Sequence, residues 1–184
     1  MFGRSVRRLS SSSASGRVYR VVLTGGPCAG KTTSLERLVS EFRGIGFRVL
    51  TTPEVATLMT LGGCQYPGED GGEALVRFEG ALLSLQRQVE ESFCSSLPPP
   101  PHDVPTLVVH DRGLLDPSAY VRRGDWEEVL RRLGWEEEEI ASHYDGVVHL
   151  TTAAIGAEAF YKLDNNAART ESPQQAAELD LRVE

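Results

Sequence analysis

The stretch Gly25-Gly26-Pro27-Cys28-Ala29-Gly30-Lys31-Thr32 decides the fold of this chain. It matches the pattern G-x-x-x-x-G-K-[ST] at every constrained position. The pattern requires a strand before it and a helix after it. Residues 18–24 form an apolar, β-branched run of strand length, and apolar residues recur at helical spacing from Lys31 onward. The stretch is therefore predicted to be a phosphate-binding loop between a strand and a helix.

Such a loop binds a nucleoside triphosphate, ATP or GTP. The backbone amides turn toward the phosphates, and the start of the helix adds partial positive charge there. Lys31 is expected to reach the β and γ phosphates, and the Thr32 hydroxyl to bind Mg²⁺. The predicted nucleotide-binding residues are Gly25, Gly26, Pro27, Cys28, Ala29, Gly30, Lys31, Thr32 and Thr33. The alternative is an ordinary glycine-rich turn between a strand and a helix.

The composition is that of one folded domain. The chain has 184 residues, 40% of them hydrophobic, which is enough to bury a sizeable core. Its net charge of −7 argues against a nucleic-acid partner, because phosphate backbones attract clustered Lys and Arg. No apolar stretch approaches the roughly 18 residues of a membrane span. The three cysteines have neither metal-ligand spacing nor an even count, which fits a reducing compartment.

The N-terminus differs in composition from the rest of the chain. The first twenty residues contain five arginines, six serines and no acidic residue. This is typical of a transit peptide for a mitochondrion or plastid. The alternative is a disordered basic leader on a cytoplasmic protein. The predicted division is a leader at 1–17 and a P-loop domain at 18–184.

Strands and helices are predicted to alternate beyond the loop. The predicted strands lie at 47–51, 106–110 and 147–151. The predicted helices are a long amphipathic helix at 73–93, one or two helices at 125–142, and a final helix that opens near Ser172. Pro173 is the first residue of that final helix, and Gln175 is in capping-box position. Repeated βα units imply an α/β fold, a mostly parallel sheet with helices on both faces. Ligands then bind beyond the carboxyl ends of the strands.

That rule selects the candidate catalytic acids. Glu54 follows the second strand and Asp111 ends the third, so both are expected at the phosphate end of the sheet. Phosphoryl transfer needs a carboxylate on Mg²⁺, a group that orients the nucleophile, and cations on the developing charge. Asp111 suits the metal, Arg112 the transferring phosphate, and Glu54 the base or metal role. The alternatives are a helix-start residue for Glu54 and a local Asp111–Arg112 salt bridge.

A polar segment at 161–171 follows the fourth strand and carries the cations Lys162 and Arg169. In a phosphotransferase such a segment closes over the nucleotide and brings an arginine to the phosphates. Arg169 is the better candidate for this role. A solvated loop with Arg169 paired to Glu171 remains the alternative.

Four motifs in this order carry a family resemblance. They are GGPCAGKTT at 25–33, PEVAT at 53–57, DRGLLDPSAY at 111–120 and YKLDNNAARTE at 161–171. Residues 18–184 resemble the P-loop domain shared by NadR-type ribosylnicotinamide kinases and TRPL translocation defect proteins, and they are nearer to the latter. The resemblance implies a P-loop kinase-like fold that binds ATP or GTP with Mg²⁺. It supports the roles given above for Lys31, Thr32, Asp111, Arg112 and Arg169, and it implies that Glu54 is the acid of nucleoside kinases.

The translocation defect branch further implies phosphoinositide binding and a membrane-trafficking partner. Two departures from the family stand against a complete carry-over. The chain ends at Glu184 inside the final helix, so the last strand of the sheet and the base-binding loop are expected to be missing. The second domain common in that branch is expected to be missing as well.

Three functions follow from these observations. The favoured one is a nucleotide-binding P-loop NTPase with slow hydrolysis and a regulatory role. The second is a small-molecule kinase with a ribosylnicotinamide-like acceptor, with Gln86 or Arg87 on the long helix as acceptor contacts. The third is an inert fragment of a nucleotide fold.

Overall fold

A computed structural model of the protein describes residues 16–68, 71–100, 103–161 and 172–183. Within these residues four strands form one sheet in the order β2-β3-β1-β4, and every pair is parallel. The strands are β1 (Val18–Thr24), β2 (Arg48–Thr52), β3 (Thr106–Asp111) and β4 (Gly146–His149). The predicted α/β class with a parallel sheet is confirmed.

Six α-helices are described. They are α1 (Lys31–Gly44), α2 (Val55–Leu61), α3 (Glu73–Ser95), α4 (Arg123–Leu133), α5 (Glu137–Ser142) and α6 (Pro173–Val183). Short 3₁₀ turns lie at Asp116–Ala119 and Glu158–Phe160. Ser172 caps α6 as predicted, because its N–H donates to Gln175 Oε1 at 2.9 Å and its hydroxyl accepts from the Gln175 N–H at 3.3 Å.

The two faces of the sheet are covered by different helices. One face presents Leu23, Leu107 and Val109 to the predicted apolar stripe of α1. The other face carries His110, which is fully buried beside Glu90 of α3. Alternate residues of β3 point to opposite faces, so one short strand contributes to both layers. The helices therefore sandwich the sheet and leave its carboxyl edge as the place where loops converge.

The sequence predicted most of these elements to within a few residues. The strand β2 ends at Thr52 rather than 51, and β4 lies at 146–149 rather than 147–151. The helix α2 was not predicted, since seven residues are too few for a helical period to stand out. The leader falls outside the described residues except for its last two positions.

Candidate functional site

The loop between β1 and α1 is closely packed. A Cβ on Gly25 would lie 2.1 Å from the Leu150 carbonyl oxygen, and a Cβ on Gly26 would lie 2.7 Å from Asp180 Oδ1. Both positions are therefore restricted to glycine by their neighbours. Gly30 precedes α1 in the left-handed conformation, with φ of 76°. The first-turn N–H groups of α1 begin at Lys31, where a helix has no acceptors of its own to offer them.

Lys31 folds back over this loop. Its Nζ donates to the carbonyl oxygens of Gly25 at 2.8 Å and Gly26 at 3.1 Å. Burial, together with the charge of Arg112, lowers the pKa of Lys31 to about 8, although nearby carboxylates partly offset both effects. The Lys31 side chain is therefore half-buried against its own loop.

Arg112 and Glu54 form an ion pair at the carboxyl edge. Arg112 Nε donates to Glu54 Oε1 at 2.6 Å, and Arg112 Nη1 lies 3.4 Å from Asp116 Oδ2. Glu54 stands at the start of α2, but its side chain accepts hydrogen bonds from Arg112 and Thr57 and makes no cap. Burial alone would raise the pKa of Glu54, yet the Arg112 charge and these hydrogen bonds hold it below its ordinary value.

The backbone of Arg112 is held in an unusual conformation. Its φ is 73°, the left-handed region that non-glycine residues rarely adopt. Its N–H donates to the Leu23 carbonyl at 3.1 Å, and its carbonyl accepts from Gln86 Nε2 at 3.0 Å. Strain of this kind persists where surrounding contacts over-determine it, and it is common at functional sites. The contacts from β1 and α3 therefore fix the backbone from which the Arg112 side chain extends.

Asp111 differs from its neighbours in having an unused oxygen. Its Oδ1 is buried and has no hydrogen-bond partner among the described residues. Burial raises the pKa of Asp111, and the negative charge of Glu54 adds to the shift. A buried carboxylate oxygen without a donor is a suitable ligand for a hard cation such as Mg²⁺. The described ranges contain no cluster of three or more His, Cys, Asp or Glu that converges on a metal. Mg²⁺ does not need one, since it binds through one or two carboxylates together with phosphates and water.

The two α3 residues expected near an acceptor point in different directions. Gln86 is buried and donates to the Arg112 carbonyl and to Glu90 Oε1, so it supports the site from behind. Arg87 lies over the Trp135 ring and pairs with Glu91, away from the loop. The structure brings Gln86 toward the predicted site and leaves Arg87 out of it.

Some predicted residues lie elsewhere or beyond the description. Thr32 and Thr33 are exposed in the first turn of α1. Arg169 and Lys162 fall outside the described residues, so their roles stay predictions.

Three buried residues of the site were missed from sequence. Asp116 accepts from the Thr24 hydroxyl at 2.5 Å and from the Gly113 N–H at 3.1 Å, and its Oδ2 lies 3.4 Å from Arg112 Nη1. Thr152 and Asp180 contact the phosphate loop from positions 125 and 154 residues away along the chain. Asp116 had a usable signal, because it lies one helical turn after Arg112 within a conspicuous motif. Thr152 and Asp180 had none.

The parallel sheet, the glycine-rich loop closing on its lysine, and the acids and arginine at the same edge define a P-loop domain of the α/β class. The chain belongs to the AAA domain family, whose model matches residues 20–184.

Among solved structures, that of a deoxyadenosine kinase from M. mycoides with bound dATP is similar to this chain. It has 12% sequence identity and a TM-score of 0.45, over 90% of this chain and 81% of that one. A search of the curated proteins finds no match. In the ranges that the structure describes, no helix is both long and apolar enough to cross a membrane.

Proposed function

We propose that this protein is a Mg²⁺-dependent P-loop NTPase that binds ATP or GTP and hydrolyses it slowly. One observation carries the proposal. Lys31 closes on the glycine loop and lies within electrostatic reach of Glu54, Asp111 and Arg112. Cation, acids and phosphate-binding amides therefore meet at one edge of the sheet, which is where open α/β sheets bind their ligands.

The roles of the residues follow from their positions. Lys31 exchanges the carbonyls of Gly25 and Gly26 for phosphate oxygens, and the first turn of α1 adds N–H donors. Thr32 and Asp111 hold Mg²⁺, which neutralises charge on the phosphates. Arg112 supplies a fixed cation beside them. Arg169 is proposed to approach the phosphates from the segment after β4.

Slow hydrolysis is consistent with the state of Glu54. Its two oxygens are engaged by Arg112 and Thr57, and its pKa lies below its ordinary value. A carboxylate with a lowered pKa is a weak general base, since proton transfer is favoured when the pKa is near the working pH. Water alone is therefore poorly activated in this site.

The test is a titration with fluorescent ATP and GTP analogues, with and without Mg²⁺, followed by phosphate release. Saturable binding that strengthens with Mg²⁺, and slow release of phosphate, support the proposal. A preference for one base selects between ATP and GTP. Absence of binding to both contradicts the proposal, and tight binding without any release identifies an inert nucleotide fold instead.

A kinase is the second candidate, favoured by the Glu54–Arg112 ion pair. An acceptor hydroxyl that hydrogen-bonds Glu54 competes with Arg112 and leaves the guanidinium free to turn toward the phosphates. The base role of Glu54 then depends on the acceptor. The experiment measures ADP release with and without ribosylnicotinamide and other nucleosides. Acceleration by an acceptor identifies a kinase, and an unchanged rate favours the slow NTPase.

A regulatory partner is proposed on the family resemblance alone. The translocation defect proteins supply the hypothesis of a phosphoinositide or a trafficking protein as the partner. Sedimentation with phosphatidylcholine vesicles, with and without added phosphoinositide, tests the lipid. Equal sedimentation with both vesicle types contradicts the lipid hypothesis.

The location of the protein is a separate question. A fluorescent fusion of residues 1–17 distinguishes a cytoplasmic from a mitochondrial or plastid location.

A further inference from the structure

The C-terminal helix reaches the phosphate loop through one buried carboxylate. The Gly26 N–H donates to Asp180 Oδ1 at 2.7 Å, and the Thr152 N–H donates to the same oxygen at 3.1 Å. The Asp180 residue is 2% exposed. Glycine is required at position 26 because a Cβ there would meet this carboxylate and the Ala176 carbonyl of the same helix. The helix and the loop are thus fitted to each other.

A second set of contacts holds the same part of the loop. The Thr152 hydroxyl donates to the Pro27 carbonyl, and the Ala153 N–H donates to the Cys28 carbonyl at 3.3 Å. Asp180 holds Thr152 in turn, so the carboxylate is the common anchor of both sets. These contacts fix the Gly26 amide and the carbonyls of Pro27 and Cys28.

Packing alone does not account for an acid at this position. A buried carboxylate beside an anion-binding loop costs desolvation and repels phosphate. Its cost is offset by two N–H donors, from Gly26 and Thr152. An apolar side chain would fill the space without that cost but would leave the amides of Gly26 and Thr152 buried without an acceptor. The presence of a carboxylate here is therefore explained by the Gly26 and Thr152 amides that it accepts from.

We propose that Asp180 is a positioning residue for nucleotide binding, which acts by fixing the Gly26 amide and, through Thr152, the Pro27 carbonyl. The inference rests on the proposed nucleotide binding. With these groups held by Asp180 and Thr152, the loop keeps the curvature that presents its other amides to phosphate. The same contacts couple α6 to the loop. Because such coupling is reciprocal, the docked helix strengthens nucleotide binding, and bound nucleotide stabilises the docked helix by the same free energy.

The test compares nucleotide affinity and stability in three variants. Asp180→Ala removes the acceptor, and we expect about a tenfold weaker affinity for the fluorescent nucleotide. Asp180→Asn keeps an acceptor oxygen, so its affinity should stay within about threefold of wild type. The matched control is Leu179→Ala on the same helix, a residue 4% exposed, which should lower the melting temperature and leave affinity unchanged. Amide exchange adds an independent readout, since nucleotide should slow exchange in α6 in wild type and not in Asp180→Ala.

The outcomes separate the inference from the proposed function. Wild-type affinity in Asp180→Ala overturns the inference, and so does an equal loss in Leu179→Ala, which would mean that any damage to α6 weakens binding. Absence of nucleotide binding by wild type overturns the proposed function itself. Should Asp180→Ala not fold, Asp180→Glu replaces it, because it keeps the charge and displaces the acceptor. Weaker binding by Asp180→Glu than by Asp180→Asn supports the inference, and equal binding contradicts it.

Discussion

Arg112 Nε donates a 2.6 Å hydrogen bond to Glu54 Oε1 and so joins the ends of β3 and β2 across 58 residues of sequence. The strands are neighbours in the sheet, and their parallel pairing brings both carboxyl ends to one edge. Asp116 contacts the same guanidinium. The arginine is thereby held between two acids beside the phosphate loop, and the acid best placed to act as a base is occupied.

Glu54→Gln tests the base role of this acid. The amide retains an oxygen for Arg112 but cannot accept a proton. Because the paired carboxylate is already a weak base, turnover should fall by about tenfold, less than the roughly hundredfold that a well-matched base supplies, while nucleotide affinity changes little. Phosphate release and a binding titration on the same preparation measure both quantities. Glu36→Gln, an exposed glutamate on α1, is the matched control. Unchanged turnover in Glu54→Gln would remove the base role.

Asp111→Asn addresses the metal. The variant loses the charge on the unpaired oxygen. The Mg²⁺ concentration that gives half-maximal nucleotide binding should therefore rise about tenfold, because Mg²⁺ prefers charged oxygen ligands. The measurement is a Mg²⁺ titration at fixed nucleotide. If the midpoint stays in place in Asp111→Asn and moves in Glu54→Gln, Glu54 is the metal ligand instead.

Asp116→Ala should lower the stability of the protein at this site. The Thr24 hydroxyl and the Gly113 N–H would lose their common buried acceptor, at a cost of about 1–3 kcal/mol in the free energy of unfolding. Turnover should fall as well, since Arg112 loses one of its two anchors. Ser118→Ala, in the same 3₁₀ turn but exposed, provides the comparison in chemical denaturation. Equal stability of the two variants would contradict this account of Asp116.

The elements that sequence predicted well are those with local signals. The loop at 25–32, the strand before it and the stripe of α1 all lie within about twenty-five consecutive residues, so pattern and spacing were sufficient. Position at a strand end was enough to select Glu54 and Asp111. The partner of Arg112 was not predictable this way, because the sequence offered adjacent Asp111 while the structure pairs the arginine with Glu54 across the sheet.

Burial is the second reason why the structure differs from what the sequence predicts. Lys31 is a charged residue in a polar motif, and nothing local indicates that it lies against carbonyls of its own loop. Asp180 sits within an amphipathic helix where an acid is ordinarily exposed. Its function becomes visible only when α6 is docked on the loop. Contacts of this kind depend on the tertiary arrangement and have no counterpart in short-range pattern.

Glu79 provides a pH-dependent prediction in the core. It is 3% exposed on α3, its Oε2 has no hydrogen-bond partner among the described residues, and burial raises its pKa to about 7 from an ordinary value of 4.5. Between pH 4.5 and 7, the folded protein keeps a proton on Glu79 that the unfolded chain releases. The Glu79 contribution to the free energy of unfolding therefore falls as pH rises from 4.5 to 7.

Glu79→Gln should remove that contribution. At pH 8 the variant is expected to be more stable than wild type by about 1–3 kcal/mol, with a smaller difference at pH 5. Urea denaturation at the two pH values measures the effect. A wild-type advantage at pH 8 would mean that the ionised carboxylate has a favourable partner in the folded protein.

The most direct measurement is a titration of wild type and Lys31→Ala with fluorescent ATP and GTP in the presence of Mg²⁺. Arg37→Ala, which removes an exposed cation from the same helix, is the control. The account predicts binding by wild type and Arg37→Ala, and at least about tenfold weaker binding by Lys31→Ala, which stays folded but melts at a slightly lower temperature because it loses the two hydrogen bonds of Lys31 to the loop. Equal affinity in all three proteins would contradict the assignment of the phosphate site to this loop.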